Sequence, residues 1–306
     1  MGEQAMVFAP VPRLTVTVEQ FDGRAELHLH AGGQGVWEAR MLRVLGVPVT
    51  LCATVGGETG GVLEDLIAGE DMTLRAVHRQ NSSGWYVHHR RGDDRAEVAD
   101  SPGEPLTRHE LDELYGLTLV EGLRSAISVL SGPMDPGLVP AQLYQRLAAD
   151  LTANGSRVVA DLSGEYLAAV LAGGVHVVKL SHSEAIEGGW ADGDGVEALV
   201  KAMRRLHDEG ADAVVVSRAG DPALALLDEQ VFTVEVPPLQ VVEHRGAGDS
   251  MTAGIAAVLA RGGDLQQAVR TGAAVGAVNV TRHGLGSGQA DVITEIAGRV
   301  RLTALR

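Results

Sequence analysis

Residues 243–254, EHRGAGDSMTAG, place the carboxylate of Asp249 directly behind Gly246, Ala247 and Gly248 and ahead of a helix-like run. A Gly-Ala-Gly turn feeding a helix exposes successive unpaired N–H groups, and the helix dipole adds positive potential at the same point. Together these make a cradle for an anion. A carboxylate beside it could take the proton of a hydroxyl that attacks a phosphoryl group, while the amides hold the developing charge. The same residues also read as a helix cap after a glycine turn, which needs no ligand. On these residues alone both readings stand.

A second small-residue stretch is AGGQGVWEAR, residues 31–40. Gly32, Gly33 and Gly35 either let backbone approach a ligand closely or make a tight turn before a helix. Trp37 either stacks on a sugar or nucleoside ring or fills space as core. His28 with His30, and His88 with His89, would need a converging third ligand to hold a metal, and the sequence offers none; they read as solvated strand residues. RRGDDRAE, residues 90–97, reads as a charged hairpin turn, and the single cysteine, Cys52 in VPVTLCATV, as a buried strand residue.

The elements that must position these residues alternate along the chain. VWEARMLRVLG, GGVLEDLIAG, VPAQLYQRLAADLTANG and GVEALVKAMRRLHDEG have helical spacing, whereas VPVTLCATV, AISVLSG, SRVVADLSG, VHVVKLS and ADAVVVSRAG are short apolar runs. Strands that are apolar throughout and separated by helices predict a mainly parallel sheet covered on both faces, an α/β fold with three α/β/α layers. Segments 14–33 and 83–100 instead alternate with period two, which predicts a small antiparallel β flap inserted into the α/β body. The expected organisation is one domain over 1–306 with a discontinuous β lid from about 12–31 and 82–100. After Asp249, two Ala/Gly-rich helices are expected to pack tightly together.

Composition narrows the partners. The 306 residues carry 25 basic and 40 acidic side chains, a net charge of −15, which disfavours nucleic acid and anionic membranes. One cysteine excludes an intrachain disulfide. No apolar run reaches the roughly 18 residues that span a bilayer. The start, MGEQAMVFAPVPR, lacks a basic region followed by an apolar core, so the expectation is a cytoplasmic protein.

RGAGDSMTAGIAAVLARG resembles the C-terminal signature of the ribokinase-like (PfkB) carbohydrate kinases, particularly the branch of 1-phosphofructokinases and tagatose-6-phosphate kinases. AGGQGVWEARMLRVLG is similar to the family's GGKGxNxAR motif, VGGETGGVLEDLI to the stretch after it, and LSGPMDPGLVP to LSGSxPPGxP. VVKLSHSEA stands where VKPNxxE is usual, and VVVSRAGDPALAL where a nucleotide-side SxGxxG segment is usual. The resemblance runs in family order over nearly the whole chain. It implies a kinase that uses ATP and Mg²⁺ to phosphorylate a hydroxymethyl group of a sugar or sugar phosphate. It makes Asp249 the catalytic base and Gly246, Ala247 and Gly248 the anion hole for the γ-phosphate. Lys179, Ser181 and Glu184 fall on the VKPNxxE motif, with Ser181 at its Asn and Glu184 placing Mg²⁺ through water. Ser217 and Gly220 fall on the nucleotide-side segment, and Asn279, Thr281 and Gly284 on the region that lines the adenine pocket. Gly32, Gly33, Gln34, Trp37, Arg13, His88 and Arg90 fall on the acceptor side, and relatives imply a homodimer through the flap.

Departures from the family pattern concentrate at that acceptor side. Arg13 stands at the sugar-binding Asp, Gln34 at the Lys of GGKG and Trp37 at its Asn; Gly84 and His88 stand at the lid Arg and Lys that grip a substrate phosphate. Each charged hydrogen bond to a phosphate is worth about 1.5–3 kcal/mol, so these changes predict an acceptor other than fructose 1-phosphate or tagatose 6-phosphate, unless Arg13, Arg90 and Arg91 compensate. Alternatives of the same fold are a nucleoside kinase, with Trp37 on the base, and a non-catalytic sugar- or nucleotide-binding regulator.

Overall fold

Val- and Ala-rich runs too short to form helices alternate with amphipathic helices through most of the chain, and this alternation builds the body of the protein. The computed structural model describes residues 3–21, 24–91, 94–282 and 286–305. In chain order the elements begin with β1 (Ala5–Phe8), β2 (Arg13–Phe21), β3 (Arg24–Gly32), α1 (Gln34–Val44), β4 (Val49–Gly56), α2 (Gly57–Gly69) and β5 (Thr73–Arg79). There follow β6 (Ser83–Arg91), β7 (Asp94–Gly103), α3 (Arg108–Arg124), β8 (Ile127–Ser131), α4 (Ala141–Ala153), β9 (Val158–Asp161) and α5 (Gly164–Gly173). The remainder is β10 (Val175–Ser181), α6 (His182–Glu187), α7 (Val196–Asp208), β11 (Ala211–Arg218), β12 (Asp221–Leu227), β13 (Gln230–Glu235), α8 (Ala247–Ala260), α9 (Leu265–Asn279), α10 (Ala290–Ala297) and β14 (Arg301–Ala304).

Ten strands form one sheet in the order β14-β13-β12-β11-β10-β9-β8-β1-β4-β5. From β11 to β5 every neighbouring pair is parallel. The edge β11-β12-β13-β14 is antiparallel, an extension that the sequence reading did not foresee. Alternate residues of the parallel strands face opposite layers. Val7, Val129, Val159 and Val177 enter a core shared with α1, α8 and α9, while Met6, Leu130, Ala160 and Val178 enter one shared with α4, α5 and α7. Cys52 is buried in the second core, as its strand context predicts. Among the described residues no helix is long and apolar enough to cross a membrane.

The period-two segments form a separate four-stranded sheet in the order β3-β2-β6-β7. Each hairpin is antiparallel, but the two meet through a parallel pair, β2 with β6, from Leu14↔Trp85 to Glu19↔Arg90. One face is apolar. Its near half, with Leu14, Ala31 and Trp85, joins the core beside α2, whereas Leu27, Leu29 and Val98 further out stay exposed. The opposite face carries Arg13, Thr15, Thr17, His30, Tyr86 and His88, and Thr17 Oγ1 lies 3.2 Å from His88 Nε2. Residues 92 and 93, at the tip of the charged turn read from sequence, lie outside the described residues.

α3 escaped the periodicity reading because its exposed surface is mixed. Its start is nonetheless marked by a capping box, in which Thr107 accepts from the Glu110 amide and Glu110 accepts from the Thr107 amide. α8 and α9 pack as closely as their small residues foretell. A Cβ on Gly254 would lie 2.7 Å from Gly272 Cα and 2.8 Å from Val275 Cγ2. Gly254→Ala must therefore push α9 away, at about 1–3 kcal/mol for an overpacked core. In urea unfolding its midpoint should fall while the slope stays that of the wild type.

Candidate active site

Parallel α/β sheets bind ligands beyond the carboxyl ends of their strands, where the strand order reverses. Here the chain runs outward from β1 through β4 to β5 on one side and from β8 to β11 on the other, so the reversal lies between β1 and β8. On the α8-facing side, three strands change character at or near their carboxyl ends. Val129 is followed two residues later by Ser131, Val159 by Asp161 and Val177 by Lys179. All three polar residues are buried, and together they floor the carboxyl edge.

Lys179 and Asp161 are register partners on β10 and β9. Lys179 Nζ donates to both Asp161 oxygens, at 3.3 and 3.1 Å, and Thr252 Oγ1 of α8 donates to Asp161 Oδ2 at 2.6 Å. Burial alone would lower the lysine's proton affinity. The negative fields of Asp161, Asp249 and Glu184 outweigh that effect and raise it, so Lys179 is a fixed cation.

α8 starts directly above this pair. Its N-cap is Gly246, left-handed at φ 72°, where a side chain would be strained, and no side chain caps the helix. Asp249 sits in the first helical turn, three residues past the cap, and a hydrogen bond from its own backbone amide favours its charged form. The first N–H groups of an α-helix have no intrahelical acceptor, so the amides of Ala247 and Gly248 are available as donors. Gly248 also lets the helix mouth meet the lysine, since a Cβ there would lie 2.4 Å from Lys179 Nζ.

Carboxylate oxygens of Glu38, Asp161 and Asp249 all lie within 4.8 Å of one another. Asp249 keeps part of its surface open, yet it is crowded enough that desolvation is the largest push on its carboxyl. Asp161 pushes the same way, Lys179 opposes, and the net result is about 7. Glu38, on α1, is fully enclosed. Ser131 Oγ donates to Glu38 Oε2, and the Tyr144 hydroxyl donates to the Ser131 carbonyl at 2.9 Å.

A cleft of about 330 Å³ opens beside this cluster, lined by Gln34, Met134, Asp161, Tyr166 and Glu184 among others. Asp161 belongs to both cleft and cluster. Gln34 Nε2 donates to the Asp161 carbonyl at 3.1 Å. Ser181 and Glu184 form a capping box at the start of α6, the serine amide donating to Glu184 Oε2 at 2.7 Å. That box gives both residues a structural role, and Glu184 also lines the cleft.

Other sequence-chosen residues lie further out. Ser217 pairs with Ser181 in register at the ends of β11 and β10, and Gly220 is in the exposed turn after it. Asn279 is buried at the end of α9, and its Nδ2 donates to the Arg245 carbonyl at 2.8 Å, which fixes the loop entering α8. Thr281 donates to the Val278 carbonyl, and Gly284 lies outside the described residues. Gly32 packs against Thr15, Gly33 caps α1 at φ 113°, and Trp37 is half-buried on α1. His88 is buried, Arg90 is half-buried, and Arg13 is clamped between Asp100 (3.1 Å) and Asp135 (3.2 Å).

Sequence reasoning passed over Glu38, Ser131, Asp161 and Thr252. The first three carried a readable signal, a polar residue on an otherwise apolar face: Glu38 on the stripe with Val36, Ala39 and Leu42, Ser131 and Asp161 at strand ends.

Comparison with known proteins settles the family. Residues 16–291 match the model of the pfkB family of carbohydrate kinases. The chain belongs to that family. It is 28% identical over 277 residues to 1-phosphofructokinase of Bacillus subtilis, covering 90% of this chain and 89% of the relative. It is 31% identical over 256 residues to the ATP-dependent 6-phosphofructokinase isozyme 2 of Escherichia coli, covering 83% and 82%. The crystal structure of phosphofructokinase-2 from Escherichia coli in complex with potassium superposes with a TM-score of 0.86 at 27% identity, over 97% of this chain and 98% of the other. Ribokinase of Arabidopsis thaliana, at 19% identity and a TM-score of 0.76, shares the fold. This pfkB chain is thus a carbohydrate kinase by family, with the ribokinase-like α/β architecture that its motifs imply.

The raised proton affinity of Asp249 has a stability consequence. Its folded-state value of about 7 exceeds the ordinary 3.8, so the native state holds this proton more tightly than the unfolded chain. The stability tied to that proton is therefore lost as pH rises from about 4 to about 7. Asp249→Asn removes this loss. Chemical unfolding should show the variant more stable than wild type at pH 8, with the difference closing towards pH 4.

Proposed function

We propose that this pfkB-family chain transfers the γ-phosphoryl group of MgATP to a hydroxymethyl group of a sugar or sugar phosphate, with Asp249 as general base. One observation carries the reading: a carboxyl with a proton affinity near neutrality sits in the first turn of a helix whose leading amides, at Ala247 and Gly248, are free to hold an anion. A base poised near the working pH is ionised often enough to act and basic enough to take a proton.

The donor set suits a nucleotide phosphate with a divalent cation. Lys179 abuts Gly248, the helix dipole points its positive end into the site, and Glu184 supplies a carboxylate on the cleft wall. Glu184 would hold Mg²⁺ through water, and Ser181, Ser217, Gly220, Asn279 and Thr281 would border the nucleotide. When bound, MgATP supplies the electrophilic phosphoryl group and a cation that neutralises its charge. The chain's own residues do the rest. Asp249 accepts the proton of the attacking hydroxyl, the 246–248 amides and Lys179 stabilise charge on the transferred group, and the buried Asp161 holds Lys179 in place.

For the acceptor, the relatives' names point to fructose phosphates, and one solved relative, phosphofructokinase-2 from Escherichia coli, holds fructose 6-phosphate. Gly32, Gly33, Gln34, Trp37, His88 and Arg90 would line the acceptor end. Arg13 is already committed to two carboxylates, so it does not stand free to grip a phosphate. The β2-β3-β6-β7 sheet would close over the acceptor as a lid and exclude water. Its exposed apolar outer half would pair with a second copy, and the whole would work as a cytoplasmic homodimer.

Asp249→Asn should lose on the order of 10²–10⁴ in turnover, the usual size of a general-base contribution. The measurement is ADP release over a panel of sugars, sugar phosphates and nucleosides; an active variant would refute the role. In the wild type kcat/KM should fall as pH drops through about 7, where Asp249 takes its proton. Leu27, 63% exposed on the outer apolar half, tests the lid dimer: Leu27→Asp should convert dimer to monomer in light scattering.

A further inference from the structure

Four ionisable groups from four elements meet at the proposed base: Glu38 of α1, Asp161 of β9, Lys179 of β10 and Asp249 of α8, the base itself. A fifth, the Tyr144 hydroxyl of α4, is satisfied by the Ser131 carbonyl. Only one of the five is a cation, and both hydrogen bonds that its Nζ makes to a carboxylate go to Asp161, which Thr252 also serves. Asp161 is therefore the compensated anion; the field of Lys179 reaches Glu38 and Asp249 as well, but it donates a hydrogen bond to neither.

The two differ in access to water. Asp249 keeps part of its surface open; Glu38 has none of its surface exposed. Glu38 Oε2 accepts from Ser131, but Oε1 has no hydrogen-bond partner among the described residues. A buried, unpaired carboxylate is far costlier than a neutral acid, and like charges nearby add to the cost. Burial and the fields of Asp161 and Asp249 accordingly push the Glu38 carboxyl well above its usual range.

We propose that Glu38 is a positioning residue for the phosphoryl-transfer base: a permanently neutral carboxylic acid whose free oxygen carries the proton and donates it as a hydrogen bond to the Asp249 carboxylate. This deepens the Asp249 reading and rests on it. Glu38 keeps its proton throughout, while Asp249 alone gains and loses the proton of the acceptor hydroxyl. A neutral donor beside the ionised base favours its charged form and sets the pH at which the enzyme switches on. A carboxylate in the same place would do the opposite.

Infrared spectroscopy of the whole protein tests the protonation state whether or not the enzyme turns over. The wild type should show the C=O stretch of a buried carboxylic acid above neutral pH, and Glu38→Gln should abolish it; a spectrum without that band, or one unchanged in the variant, overturns the proposal. The acid limb of kcat/KM against pH tests the coupling. Glu38→Gln, a neutral donor of the same shape, should leave the limb in place, whereas Glu38→Leu should raise it by about one pH unit, a tenfold loss below the limb. A limb that falls in both variants would mean that Glu38 is ionised, and one that moves in neither would make it structural only; each refutes the proposal. Should Glu38→Leu not fold, the infrared band and the glutamine variant decide. Failure of the base reading itself has a separate signature, full activity in Asp249→Asn.

Discussion

An ammonium and a carboxylate facing each other across two parallel strands, both nearly without solvent, persist only if each is fully engaged, because either left alone is destabilising by several kcal/mol. Lys179 and Asp161 meet that condition through two hydrogen bonds between them and a third from Thr252. Much of the site follows from that requirement. β9 and β10 must be parallel and in register at 161↔179, α8 must bring Thr252 over the pair, and position 248 must lack a side chain so that the helix mouth can reach the lysine.

The pair also organises the site's field. It fixes one positive charge at the mouth of α8, where the helix dipole already favours anions, and one negative charge beside Asp249. The first suits a phosphate; the second keeps the neighbouring carboxyl from ionising too readily. Two opposite demands, holding an anion and raising the basicity of an acid, are thus met by one ion pair.

How much of this was legible depended on whether the residues are neighbours in the chain. Gly246, Ala247, Gly248 and Asp249 are contiguous, so the helix mouth and its acid were visible as a motif. The parallel body was readable because Val-rich runs and amphipathic helices differ in period. Asp161 and Glu38 were not read because their partners lie far along the chain; Asp161 meets Lys179 only through strand register, and Glu38 meets Ser131 across 93 residues. Arg13 was placed on the acceptor side by alignment, and nothing in its local sequence announces its clamps at Asp100 and Asp135. The second sheet was readable as two alternating segments, but whether hairpins meet head-to-head or side by side is decided by long-range pairing that period two does not encode.

That parallel join between β2 and β6 ties together chain segments that leave the sheet in different directions. β3 runs through Gly32 and Gly33 straight into α1, which carries Gln34 and Glu38, whereas β6 follows β5 at the far edge of the large sheet. Gly33, at φ 113°, is thus the one residue between the small sheet and the helix that carries Glu38 of the carboxylate cluster. The acceptor-side sheet and the acids are joined by a single residue of backbone, so the sheet's seating and the cluster's geometry share one hinge point in the chain.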